Sequence, residues 1–182
     1  MQSKNLLKVV FGGLMAALVC VATSVMVIQL PTGGYANLGD CFVILSACIL
    51  GPVYGALAGG IGAGLADLFL GYGIYAPFTF IIKACMAVAV YFIINKSKES
   101  SFKIQMGFMI LASIIAELIM VGGYFAVEAC MYGAQGALAN ILGNAIQCIF
   151  GCVSSAVVYT VMAKARIFKN IGKLLNKKGC KN

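Results

Sequence analysis

Lys83 is the residue most out of place in this chain. It sits in TFIIK, about six residues into an apolar segment, or roughly 9 Å deep at the helical rise. A charge inside a bilayer costs on the order of 2.5–3.5 kcal/mol on insertion scales, so it needs a partner. Four acids lie in or beside apolar segments: Asp40, Asp67, Glu117 and Glu128. One lysine cannot neutralise four acids, so the others must lie near a surface, line a wet cavity or carry a proton. A bridge from Lys83 to Asp67 or to Glu117 would only hold helices together; a shared cavity would bind something. Periodicity favours the cavity. Glu117, Tyr124 and Glu128 are seven and four apart and share one helical face, and Asn140, Asn144 and Gln147 do so at four and three. Three carboxamides on one stripe of a membrane helix are costly unless they bond to each other, to another helix or to a ligand. Each offers donor and acceptor, which suits a heterocycle with mixed edges. Tyr35, Tyr72, Tyr75 and Tyr132 fall between the apolar segments, as interface anchors or as a roof over a flat ligand.

The chemistry is binding rather than catalysis. The chain has no histidine, which removes the usual general base and the commonest zinc ligand. It has no clear nucleophile–base pair and no Gly-x-x-x-x-Gly-Lys-Ser/Thr loop for ATP. The eight cysteines show no Cys-x-x-Cys spacing. Cys148 and Cys152, one helical turn apart, read as small packing residues rather than as metal ligands or a disulfide. No catalytic residue, metal or cofactor is therefore expected. The net charge of +8 raises nucleic acid as a partner, but its distribution explains it better as a membrane signature.

The elements that must position these residues are membrane helices. Hydrophobic residues make up 62% of the chain, charged residues 10%, and the mean hydropathy is +1.01. A chain of 182 residues has room for about six spans and nothing else. The expected fold is an all-α integral membrane protein in a single domain, with spans at about 9–29, 38–50, 52–71, 78–94, 104–130 and 138–162. The apolar run 38–71 is too long for one span, and Gly51-Pro52 is its natural turn. Charge supports the split. Twelve of the thirteen Lys and Arg lie at 4–8, 96–103 and 164–181, whereas the loops at 30–37, 71–77 and 131–137 have none. Six spans place every basic segment, and both termini, in the cytoplasm. In the basic tail, 163–182, Ile167, Phe168, Ile171, Leu174 and Leu175 fall on one side, as in an interfacial helix.

The first span carries Gly12, Gly13, Ala16 and Ala17, overlapping small-xxx-small pairs that make a flat face. Such a face serves internal packing or docks another helix.

Four pieces together resemble the substrate-binding S components of energy-coupling-factor (ECF) vitamin transporters. They are GGLMAAL in span one, the YANLGD loop, the LGPVYGALAGGIGAGLADLFLGY hairpin, and TFIIK with NILGNAIQ in spans four and six. The hairpin is the most specific piece, and glycine stands where that family's first span-one alanine is expected. The resemblance implies that two ATPase subunits and a transmembrane coupling subunit supply the energy. It also implies that the coupling subunit docks on the small-residue face of span one, and that the chain topples in a prokaryotic plasma membrane to release a vitamin inside. The binding residues are then expected among Tyr35, Asn37, Asp40, Asp67, Tyr75, Lys83, Glu117, Tyr124, Glu128, Asn140, Asn144 and Gln147. Four acids, one lysine and no arginine in the membrane argue against a dianionic ligand. They favour a small neutral or weakly basic ring, pyridoxine-like or hydroxymethylpyrimidine-like, with riboflavin next. The rival is a solitary proton-coupled transporter or channel built on the same acids.

Overall fold

A computed structural model describes residues 2–25, 27–29 and 35–176, with side chains placed for 5–25 and 37–175. The described chain is helical apart from one short ribbon: α1 (Gln2–Val25), β1 (Val27–Gln29), β2 (Tyr35–Asn37), α2 (Gly39–Phe69), α3 (Ala76–Asn95), α4 (Phe102–Lys164) and α5 (Ile167–Asn176). Four helices, α1 to α4, are long and apolar enough to cross a membrane. Two of these four are folded back on themselves. In α2 the backbone leaves helical geometry at Gly51 (φ 84°, ψ −173°), a left-handed φ that glycine adopts without penalty, and Pro52 follows with no amide proton to give. The two arms then run antiparallel in contact: Ser46 Oγ donates to the Gly55 carbonyl at 2.9 Å, and a methyl on Gly59 would stand 3.0 Å from Val43 Cγ1. In α4 the break is Gly133 (φ 77°, ψ 167°). Asn140 reaches back to Glu128 and Thr160 to Met106 across it.

Two boundaries differ from the sequence expectation. The first helix stops at Val25 rather than Gln29, and Val27–Gln29 pairs antiparallel with Tyr35–Asn37, in the register Val27↔Asn37, Ile28↔Ala36 and Gln29↔Tyr35. The β-branched residues there suit a strand better than a helix end. The loop expected at 131–137 is helical except at Gly133, because one glycine is enough to reverse the direction.

The arm 52–69 of α2 shows why so glycine-rich a stretch is central. Gly55, Ala58, Gly59, Gly62, Ala63 and Ala66 face inward and are buried, while Val53, Leu57, Ile61, Leu65 and Leu68 recur on the exposed side. Small residues inside and large ones outside is the pattern of a helix whose outer solvent is lipid. The small face admits its neighbours closely. A methyl on Gly62 would strike the Ala16 carbonyl oxygen of α1, and one on Gly60 would lie 2.8 Å from the Phe80 carbonyl oxygen of α3. Gly123 of α4 packs in the same way on Ile82 of α3. The second arm of α4 repeats the outer stripe with Leu138, Leu142, Ile146, Ile149, Val153, Val157 and Val161.

Lys8 lies over the Tyr54 ring at 5.7 Å and Lys98 over Tyr91 at 5.3 Å, so the basic segments share the end of the bundle near Gly51. Helix α5 packs Phe168 and Ile171 on the core and buries Leu175. Leu174, expected on that same side, is half exposed, since one residue turns a helix by about 100°.

Candidate functional site

At the opposite end, Asn37 begins the site. Its side-chain Oδ1 accepts the Gly39 amide at 2.7 Å, starting α2 where the ribbon ends. Its backbone is gripped by Gln147 from the second arm of α4. The Asn37 N–H donates to Gln147 Oε1 at 2.6 Å, and Gln147 Nε2 donates back to the Asn37 carbonyl at 3.2 Å. The second proton of that amide goes to Asp40 Oδ2 at 2.7 Å. The other oxygen of Asp40 is in an ion pair with Lys83 of α3, and both side chains are buried. Losing one member of such a pair costs about 3–5 kcal/mol, because the other is left charged and alone. Lys83 also stands 5.6 Å from the centre of the Tyr124 ring, whose hydroxyl shares a 2.9 Å hydrogen bond with Thr79. Asn140 Nδ2 donates to Glu128 Oε1 at 3.2 Å. Glu128 Oε2 is buried and has no hydrogen-bond partner among the described residues.

These groups surround a cavity of about 140 Å³. The second arm of α4 contributes Asn140, Asn144 and Gln147, and the first arm Met120, Tyr124 and Glu128. Helix α3 and the turn before it give Tyr72, Tyr75, Thr79 and Lys83; α2 gives Ala63 and Asp67, and Thr23 and Asn37 close the side toward α1.

Nine of the twelve candidate residues therefore line one cavity: Asn37, Asp67, Tyr75, Lys83, Tyr124, Glu128, Asn140, Asn144 and Gln147. Asp40 lies just behind the wall, holding Lys83 and Gln147 in place. This corrects the pairing read from the sequence, which offered Asp67 or Glu117 to Lys83; the buried face of the first α2 turn puts Asp40 there instead. Glu117 does not line the cavity. It is fully buried two turns below Tyr124, at the mid-span depth its position gives, pressed against Gly151 of the facing arm, and the cavity does not reach that far down. The side chain of Tyr35 lies outside the described residues, though its backbone is in β2. Thr23, Ala63, Thr79 and Met120 were not singled out from the sequence. Thr79 and Met120 carry a signal, since Tyr75, Thr79 and Lys83 and then Met120, Tyr124 and Glu128 each recur every four residues. Thr23 and Ala63 carry none.

On α1, Gly13 and Ala17 are exposed, Gly12 and Ala16 are partly covered, and a methyl on Gly12 or Gly13 would meet nothing within 4 Å. Met15 and Val19 are the residues buried against the bundle.

Comparison with known proteins supplies kinship. A sequence model of the family described as "ECF-type riboflavin transporter, S component" matches residues 3–164. A protein of Pyrococcus woesei, described as "Uncharacterized protein in gap 3'region", is 35% identical over 136 residues, 74% of this chain and 87% of that one. The "Thiamine precursor transporter HmpT" of Lactococcus lactis subsp. cremoris is 27% identical over 175 residues, 95% of this chain and 98% of that one.

Proposed function

We propose, since the chain belongs to the ECF-type riboflavin transporter S component family, that its cavity captures a single-ring vitamin precursor of the hydroxymethylpyrimidine or pyridoxine type. Members of this family are substrate-binding subunits of membrane transporters and not enzymes. The chain is accordingly a multi-pass membrane protein that binds a vitamin or vitamin precursor. The two folded helices make six spans of the four apolar helices. The positive-inside rule then puts the basic end and both termini in the cytoplasm and the cavity on the outer side of a prokaryotic plasma membrane.

The cavity's size and charge balance carry the choice of ligand. Its volume of about 140 Å³ is of the order of a cavity that holds one benzene ring. Two carboxylates, Asp67 and Glu128, line it, whereas its lysine is engaged by Asp40. Glu128 Oε2, buried without a partner among the described residues, loses on the order of 1–3 kcal/mol that an N–H donor would restore. An aminopyrimidine brings such a donor beside ring-nitrogen acceptors, which match the carboxamides of Asn140 and Asn144. The name of the relative HmpT points the same way. Riboflavin is the second reading, favoured by the family's description, and needs the cavity to open.

S components of ECF transporters generally work with an ECF module. For this chain the small-residue face of α1 (Gly12, Gly13, Ala16, Ala17), exposed at Gly13 and Ala17, is the docking surface for the transmembrane coupling subunit, which is driven by two ATPase subunits. Reconstitution tests the role. The purified chain in proteoliposomes should bind the labelled pyrimidine but accumulate it only when the module and ATP are added. Accumulation by the chain alone, abolished by collapsing a proton gradient, would instead identify a solitary proton-coupled transporter.

A further inference from the structure

We propose that the basic end of the bundle carries a second binding site, for the phosphate of an anionic lipid headgroup. A cavity of about 620 Å³ opens there between the end of α3, both ends of α4 and the start of α5. Lys98, Arg166 and Lys169 line it, and no Asp or Glu does. Its apolar wall is formed by Ile94, Tyr159 and Phe168, the last two with ring centroids 5.0 Å apart. Cations over an apolar wall at the level of the helix ends match a phosphodiester and the glycerol region beneath it.

The cations are held in place by local structure. Lys98 lies against the Tyr91 ring, and its loop is tied down by Gln105, whose Nε2 donates to the Lys98 carbonyl at 3.2 Å and to the Ser100 carbonyl at 2.9 Å. Arg166 is the only non-glycine residue with positive φ (58°) among those described. It follows the last turn of α4, where glycine or asparagine usually provides the left-handed conformation. An arginine there is strained, and its backbone carbonyl accepts the Asn170 amide at 3.0 Å as α5 begins. That turn brings Arg166 and Lys169 to the same cavity as Lys98. The positioning of three cations at some cost in backbone strain is what an anion site requires and a bare solvent-facing turn does not.

The test uses the full chain in detergent, titrated with dioleoylphosphatidylglycerol, with dioleoylphosphatidylcholine and with inorganic phosphate, read by melting temperature and by native mass spectrometry. Phosphatidylglycerol should raise the melting temperature and remain bound, more so at low salt, while the other two do neither. Arg166→Gly should melt no earlier than wild type without lipid, since glycine relieves the strain, yet bind phosphatidylglycerol about fivefold more weakly. Lys98→Gln with Lys169→Gln should weaken it about 25-fold. Lys164→Gln with Lys173→Gln, the same charge change outside the cavity, should leave it within about twofold. Equal losses in this control and in the cavity variants, or no loss in the cavity variants, would overturn the site. Stabilisation by inorganic phosphate equal to that by the lipid would overturn the lipid assignment.

Discussion

At the residue scale, Gln147 and Asn144 have different work, although the sequence places them on one stripe. All three hydrogen-bonding groups of the Gln147 amide are engaged, by both backbone groups of Asn37 and by Asp40. Asn144 lines the cavity and takes no part in those bonds. Gln147→Leu should therefore lower the stability of the ligand-free protein by about 2–4 kcal/mol, by leaving several buried groups unpaired. Asn144→Leu should leave the melting temperature nearly unchanged and weaken ligand binding by about 1–3 kcal/mol. Melting curves and calorimetric titrations of the two variants separate these roles; a large loss of stability with affinity kept in Asn144→Leu would make that residue a structural one. The stripe itself was legible, since a spacing of three and four is a property of the helix alone. The partner of Lys83 was not: the choice among Asp40, Asp67 and Glu117 depends on how three helices pack, and a long flexible side chain reaches any of them within its radius. Glu117 shares the helical face of the site and lies deep in its span, both legible from position; how far down the cavity extends was not, because that depends on how the helices pack.

At the scale of elements, the close approaches are concentrated on the inner face of α2. Gly62 meets the backbone of α1 with no space for another atom, whereas Gly13, one turn from Ala16 and Ala17, faces outward. Gly62→Ala should force α1 away from α2 and lower stability by about 1–3 kcal/mol. Gly13→Ala should be silent in thermal melts, and Gly13→Trp should abolish module-driven uptake while ligand binding stays within a few-fold. If Gly13→Trp cost ligand binding as much as transport, that face would belong to the chain's own packing. The turn at Gly51 could be read from its Gly-Pro pair, a covalent signal. The ribbon 27–29 with 35–37 could not, because Val27 and Ile28 continue the apolar run of α1 and nothing local marks where helix gives way to strand. The break at Gly133 was anticipated as a longer loop, since a single reversing glycine leaves no polar stretch to announce itself.

At the scale of the whole molecule, polarity separates along the bundle: the described basic residues other than Lys83 gather at one end and the carboxylate- and carboxamide-lined cavity opens at the other. A chain arranged in this way offers a polar cavity at one end and a cationic surface at the other. The size and charge of the cavity make the most exposed statement about it, and a side-by-side calorimetric titration is the direct measurement. The ligand-free protein should bind 4-amino-5-hydroxymethyl-2-methylpyrimidine in a single equivalent and riboflavin at least about tenfold more weakly, a difference of roughly 1.4 kcal/mol. Riboflavin bound in a single equivalent, with the pyrimidine silent, would contradict the ligand class derived from this cavity.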